Sequence, residues 1–297
     1  PLLMNYLTLD GCDSLDIAIL ATSPNALTDA QSVIALYSPT IHSSNEVSLL
    51  IATNANISLD RLDEDENGNH VAGISLSNVE ITSSMIKRME IGYGGSISIE
   101  GTLEMSNIGG VFMNFWDVAD SVIERFELSN VGSVTATVTE DPDDYLPSVS
   151  SIFLNGLIAN VTFESMSVTI NGDVTTPSNI MKPFVRTSLF DVSFISTENI
   201  AKSWIEEFDW NIEGNVIGQF KVGQGIRMNI GTTELDATGG IVLKNGQVAV
   251  VGTVTGDEMN QRVSGIICNK CQVAKIEKCT FMVDGTIFGY KLGVYFD

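Results

Sequence analysis

Along most of this chain apolar and polar residues alternate with period two in short runs, and the runs break at glycine or asparagine. Val168-Thr169-Ile170-Asn171-Gly172-Asp173-Val174 and Phe281-Met282-Val283-Asp284-Gly285-Thr286-Ile287 show it most plainly. Such alternation predicts strands with one buried face, and the breaking residues supply the positive φ of a sharp bend. One stretch, Ser23–Ser32, reads as helical instead, with Ser23 as N-cap and Pro24 in the first turn.

The pattern repeats. AGISLSN begins at Ala72, GGVFMNF at Gly109, SSIFLNG at Ser150, GGIVLKN at Gly239 and SGIICNK at Ser264, with looser copies from Gln31 and Lys182. Each copy gives two small residues, an apolar strand, a polar corner, an alternating strand, a Gly or Asn corner and a third strand. The anchors are unevenly spaced, 25 to 57 residues apart, and the longest gap has room for a further coil around WNIEGNVIGQFKVGQGIRMNIG. One unit of short strands recurring in this way predicts an all-β fold, a parallel β-helix or β-solenoid with irregular coil lengths and loop insertions. Each coil is too thin to bury its apolar side alone. Ile74, Val111, Ile152, Ile241 and Ile266 are the expected inward ladder. A β-sandwich also has many short strands, but it does not require the unit to recur. The expected division is an N-terminal strand arm with a short capping segment over 1–30, then a solenoid of roughly seven coils over 31–297.

AGISLSN, GGVFMNF, GGIVLKN and SGIICNK, with the strand pairs that follow them, resemble GLUG-type repeats. Such repeats occur in β-helical bacterial adhesins and in surface proteins of some protists. The likeness touches most of the chain from about Gln31 onward. It implies an extracellular or cell-surface protein with a structural or adhesive role.

Charge narrows the partners. With 37 acidic and 15 basic residues the net charge is −22, which opposes phosphate backbones and anionic lipid, so no nucleic acid is expected as a partner. No apolar run is long enough for a bilayer, so no membrane insertion is expected. The chain begins Pro1-Leu2-Leu3, consistent with a processed or partial N-terminus. PLLMNYLTLDG at the start and GTIFGYKLGVYFD at the end are apolar and strand-like. Uncapped strand ends of this kind predict head-to-tail self-association into a filament; a fragment of a longer repeat protein, whose neighbouring coils do the capping, is the competing account.

No residue reads as catalytic or cofactor-binding, and candidate chemistry is confined to a few places. Asp63, Asp65 and Asn67, followed by Gly68, match the front half of a calcium loop, with Asp60 nearby. Ile74 stands where the bidentate glutamate belongs, and a solvated acidic loop is the competing account. Glu140, Asp141, Asp143 and Asp144 form a second acidic insertion. Cys268, Cys271 and Cys279 are three thiols where a structural zinc site wants four ligands, with Cys12, His42 and His70 far off. Cys279 paired with Cys271 or Cys268 as a disulfide, or plain buried thiols, are the scaffold alternatives. Cys268 is expected outward beside an asparagine corner, and Cys279 where Phe126 and Met166 sit. Asn56 and Asn160 head glycosylation sequons. Two acidic groups suit an alternative function, a β-helical lyase, glycoside hydrolase or glycan-binding protein: Asp117, Asp120, Glu124 and Arg125, and Glu206, Glu207 and Asp209 beside Trp204 and Trp210.

Overall fold

A computed structural model describes residues 1–23, 27, 32–59, 70–101, 107–138, 148–177, 186–196, 202–218, 222–232, 240–255, 262–268, 275–288 and 290–296. These form a single all-β system of parallel strands wound as a β-solenoid. One ladder runs through nine strands: Leu2–Met4, Ser32–Tyr37, His70–Thr82, Asn107–Asn130, Ser148–Asn171, Arg186–Ser196, Val222–Thr232, Arg262–Cys268 and Tyr290–Phe296. Ile34, Ile74, Val111, Ile152, Phe190, Ile226 and Ile266 are stacked in register along it, each fully buried. A second ladder carries Val168, Trp210, Val248 and Phe281 in one column. The two stretches with the plainest alternation thus occupy the same face.

The coil is more regular than the sequence spacing suggests. Successive residues of the Ile34–Ile266 column lie 36 to 41 positions apart. Two anchors were displaced. The copy placed at Lys182 aligns through Ser188 and Phe190, which pair with Ser150 and Ile152. The copy at Gly239 belongs to another face, where Ile241 pairs with Ser203 and Leu243 with Ile205 and Ile276. The coil sought in the long gap runs through Gly225 and Ile226. Inward strands on every face share one alternation, so local sequence does not tell the faces apart.

The first residues are coil rather than arm. Leu2–Met4, Thr8–Asp10 and Asp16–Ala21 pair with Ser32–Tyr37, Thr40–His42 and Val47–Thr53. Leu27, inside the expected helix, makes a parallel bridge to Ile57; residues 24–26 and 28–31 lie outside the described residues.

Two kinds of corner close each coil. At the first, the left-handed conformation is taken by Ser43, Ser83, Asp120 and Asn160, with φ of 48°, 50°, 48° and 54°, one above another. Short polar side chains tolerate this region by bonding locally. The next residue is a buried serine in most coils, and its hydroxyl bonds twice. Ser84 Oγ accepts the Ser44 N–H at 3.1 Å and donates to the Thr82 carbonyl at 2.8 Å. Ser44 serves the Cys12 N–H likewise, Ser121 the Ser84 N–H and Ser203 the Val161 N–H. The hydroxyls thus satisfy corner amides that the strand ladders leave out. Ser84→Ala strands the Ser44 amide and is expected to cost about 1–3 kcal/mol. The urea midpoint checks this, with the exposed Ser98→Ala as the near-neutral control.

The second corner is a glycine column through Gly95, Gly132, Gly172, Gly214, Gly252 and Gly285. Positive φ is not its common property, since only Gly214 and Gly252 have it. Proximity is. A Cβ built on Gly132 falls 1.4 Å from the Gly95 carbonyl oxygen, and one on Gly285 falls 1.7 Å from that of Gly252. Coil backbones touch here, and no side chain fits between them.

Inside, Phe115, Phe126, Phe163 and Phe194 pack with ring centroids 5.5 to 6.4 Å apart. The small–small motif clears space for the opposite wall. Gly73 lies under the Tyr93 ring and Gly110 under the Asn130 amide. Asn130 is fully buried and satisfied: Nδ2 donates to Ser151 Oγ at 2.6 Å, and Oδ1 accepts the Gly132 N–H at 3.0 Å. Burial pushes the Tyr93 hydroxyl well above its ordinary pKa, and that hydroxyl donates to the carbonyls of Ala55 and Ser96.

Candidate functional site

A glycine column has no side chains, so its corner is recessed along the rod. A groove of about 440 Å³ lies there, floored by Gly172, Gly214 and Gly252 and edged by Val131, Asp173, Glu213 and Asn215. Toward the first coils the same corner holds a more apolar hollow of about 360 Å³, which shares Val131 and reaches Leu20 and Tyr93.

The groove's polar wall is a second inter-coil ladder. Asn56 Oδ1 accepts the Ser96 N–H at 2.8 Å and Ser133 Oγ the Asp173 N–H at 3.4 Å. Asp173 Oδ1 accepts the Asn215 N–H at 2.7 Å and its side-chain amide at 2.9 Å; Asn215 Oδ1 takes the Thr253 N–H at 2.9 Å. These oxygens hold the corner first. Asn171 and Glu213 on the rim are exposed and offer hydrogen-bonding groups to a ligand laid along the axis.

The acidic groups singled out in the sequence are divided by the fold. Asp117 stands opposite Glu80, next to Trp116, which is 58% exposed where the register shifts at a bulge. Asp120 accepts from the Asn160 amide at 2.7 Å. Glu124 and Arg125 lie past the left-handed corner, and Arg125 pairs with Glu127. Of the second group, Glu206 bonds Lys244 at 3.1 Å and Asp209 bonds Gln247 at 3.1 Å, while Glu207 is itself a left-handed corner. Trp204 is half-buried on the outside. Trp210 is fully buried between Phe190 and Phe208, so the expected aromatic partner of these acids is core. It alternates inward with Phe208 and Ile212, while Asp209 points out.

Cys12 and Cys279 are free, partly buried thiols. Cys279 follows the column of Phe126, Met166 and Phe208 as expected and donates to the carbonyls of Glu277 and Leu243. Cys268 pairs in register with Met228, whose column is apolar and buried back through Val192, Leu154, Met113, Leu76 and Leu36. That register differs from the outward corner expected for it. Cys271, Asp63, Asp65, Asn67 and the Glu140–Asp144 insertion lie outside the described residues. Asn56 and Asn160 are exposed, and each side chain is engaged with a neighbouring coil. Among the described residues no three His, Cys, Asp or Glu side chains converge as a metal site, and no helix is long and apolar enough to cross a membrane.

Sequence reading missed both inter-coil ladders. Their trace is the repeated pair Ser43-Ser44, Ser83-Ser84 and Asp120-Ser121 at one corner, and Asp173 and Asn215 one residue past a glycine at the other. Comparison of the chain with protein-family models, curated proteins and solved structures finds no match.

Proposed function

We propose that this chain is an extracellular structural or adhesive element, a rod that assembles head to tail into a filament or surface fibre. The state of its end coils carries the reading. Ile205, Leu243 and Ile276 stand in one inward column; the first two are sealed at 0% and 1% exposure, whereas Ile276 is 39% exposed. Leu2 and Leu3 at the other end are 38% and 64% exposed. Among the described residues Leu2–Met4 and Tyr290–Phe296 each pair on one side alone, the kind of edge that recruits a further strand. A coil from a second copy covers both the edge and the apolar column, a heterologous contact that propagates. The likeness to GLUG-type repeats supports the location.

Concentration-dependent filaments in electron micrographs of the purified chain are the expected result, and Ile276→Asp is expected to shorten or abolish them. Monodisperse short rods at every concentration would count against the proposal. The corner groove favours a second reading, a rod that holds a glycan along its length. Retention on a glycan column or release of oligosaccharides would select it.

A further inference from the structure

Among the described residues the faces of this rod do not hold equal numbers of strands. The ladder from Leu2–Met4 to Tyr290–Phe296 has nine. The ladder from Asp16–Ala21 to Thr280–Phe288 has eight. A second copy set on the last coil, so that the eight-strand ladder runs on unbroken, finds the place of its own Leu2–Met4 already taken by Tyr290–Phe296. Parallel strands repeat at about 4.8 Å, so only one of the two fits.

The competitors are unequal. Leu2–Met4 makes three register pairs, with Ile34, Ala35 and Leu36, and its two leucines are exposed. Tyr290–Phe296 is seven residues long. Its register puts Leu292, Val294 and Phe296 in the columns of Ser32, Ile34 and Leu36, so it also reaches Ser32 and Val33, which have no register partner in Leu2–Met4.

The same stacking matches the side chains that meet. Asp13 and Lys275 begin and end one column, Asp16 and Lys278 begin and end another, and all four are exposed. Leu20 and Met282, 62% and 50% exposed, begin and end a third. Glu277, between the lysines, bonds Lys275, which leaves this short edge with one positive charge in surplus. The wider charge is polar in the same sense. Residues 1–60 carry six acidic side chains and no lysine or arginine, whereas 262–297 carry five basic and three acidic in a chain of net charge −22.

Resting on the head-to-tail reading, we infer that copies of this chain join by strand exchange. Tyr290–Phe296 of one copy displaces Leu2–Met4 of the next and pairs with Ser32–Tyr37, while Lys275 and Lys278 settle over Asp13 and Asp16. The added strand supplies main-chain bonds and the opposed charges fix its register.

The test is the concentration at which the purified chain assembles, read by sedimentation and electron microscopy. Lys275→Asp with Lys278→Asp, and separately Asp13→Lys with Asp16→Lys, should each raise it at least ten-fold through like-charge contact. An equimolar mixture of the two variants should assemble as wild type does, because each then meets its opposite. Melting curves confirm folding, and the single changes Lys278→Asp and Asp16→Lys serve if a double variant does not fold. A chain lacking residues 1–5 should assemble at a lower concentration than wild type, having no strand to displace; should it not fold, Leu3→Pro, which removes an amide from that strand, takes its place. Charge variants that assemble like wild type, a mixture that stays dispersed, or truncation that leaves assembly unchanged or hinders it each overturn this junction and leave the filament standing. Wild type that never assembles overturns both.

Discussion

Gly132→Ala is expected to lose about 3 kcal/mol or more of stability, far beyond what a glycine-to-alanine change costs where the chain has room. The added methyl would sit 1.4 Å from the Gly95 carbonyl oxygen and 2.5 Å from its carbon. Both atoms are backbone, so no rotamer change relieves the overlap; a coil must lift from its neighbour. Lifting it strains the Gly132 N–H bond to Asn130 and the Asn130 bonds to Ser151, which are buried and have no water to replace them. Gly94, on the same corner, is the control. A Cβ there meets Asn54 at 3.5 Å, an ordinary contact, and its φ is not positive, so Gly94→Ala should be neutral or slightly stabilising. Urea midpoints of the two variants check the pair. Equal destabilisation would mean that the glycines serve backbone flexibility and not contact.

Trp210→Ala is expected to cost about 3–5 kcal/mol, the range for emptying a large aromatic site. Trp210 packs 5.2 Å from both Phe190 and Phe208, edge-on to the former. Its Nε1–H is buried and has no acceptor among the described residues, an uncompensated loss of about 1–3 kcal/mol. Phenylalanine keeps most of the ring contacts and removes the orphan donor, so Trp210→Phe should cost less than about 1.5 kcal/mol. Were Trp210→Phe as damaging as Trp210→Ala, the indole nitrogen would have an acceptor after all. Melting temperatures of both variants supply the comparison.

The solenoid was legible because alternation and recurrence are local properties: Ile74, Val111, Ile152, Ile241 and Ile266 could be placed inward one strand at a time, and all are buried. What failed was assignment to a face. Gly239 and Lys182 made poor anchors because an inward strand reads alike wherever it lies on the coil. The corners misled differently. Glycine at a corner predicts dihedral freedom, which Gly214 and Gly252 use, whereas the property common to the whole column is contact between backbones. Positive φ is taken at Asn78, Asn160 and Asn245, in keeping with the asparagine corners, but also at Ser43 and Ser83, which carry no single-sequence mark of it. Trp210 was grouped with Asp209 as a sugar platform although adjacent strand residues face opposite ways. The Asp191–Arg227 ion pair joins residues 36 positions apart, and nothing links them until the coil length is fixed.

The two polar ladders point in opposite directions along the rod. Serine hydroxyls reach back to amides of the preceding coil, whereas Asp173 and Asn215 receive amides of the following one. A turn in the middle therefore completes its neighbours on both sides and is completed by both. Because these links join equivalent positions, the cross-section is kept from one winding to the next, and length is the dimension in which such a fold is free to vary.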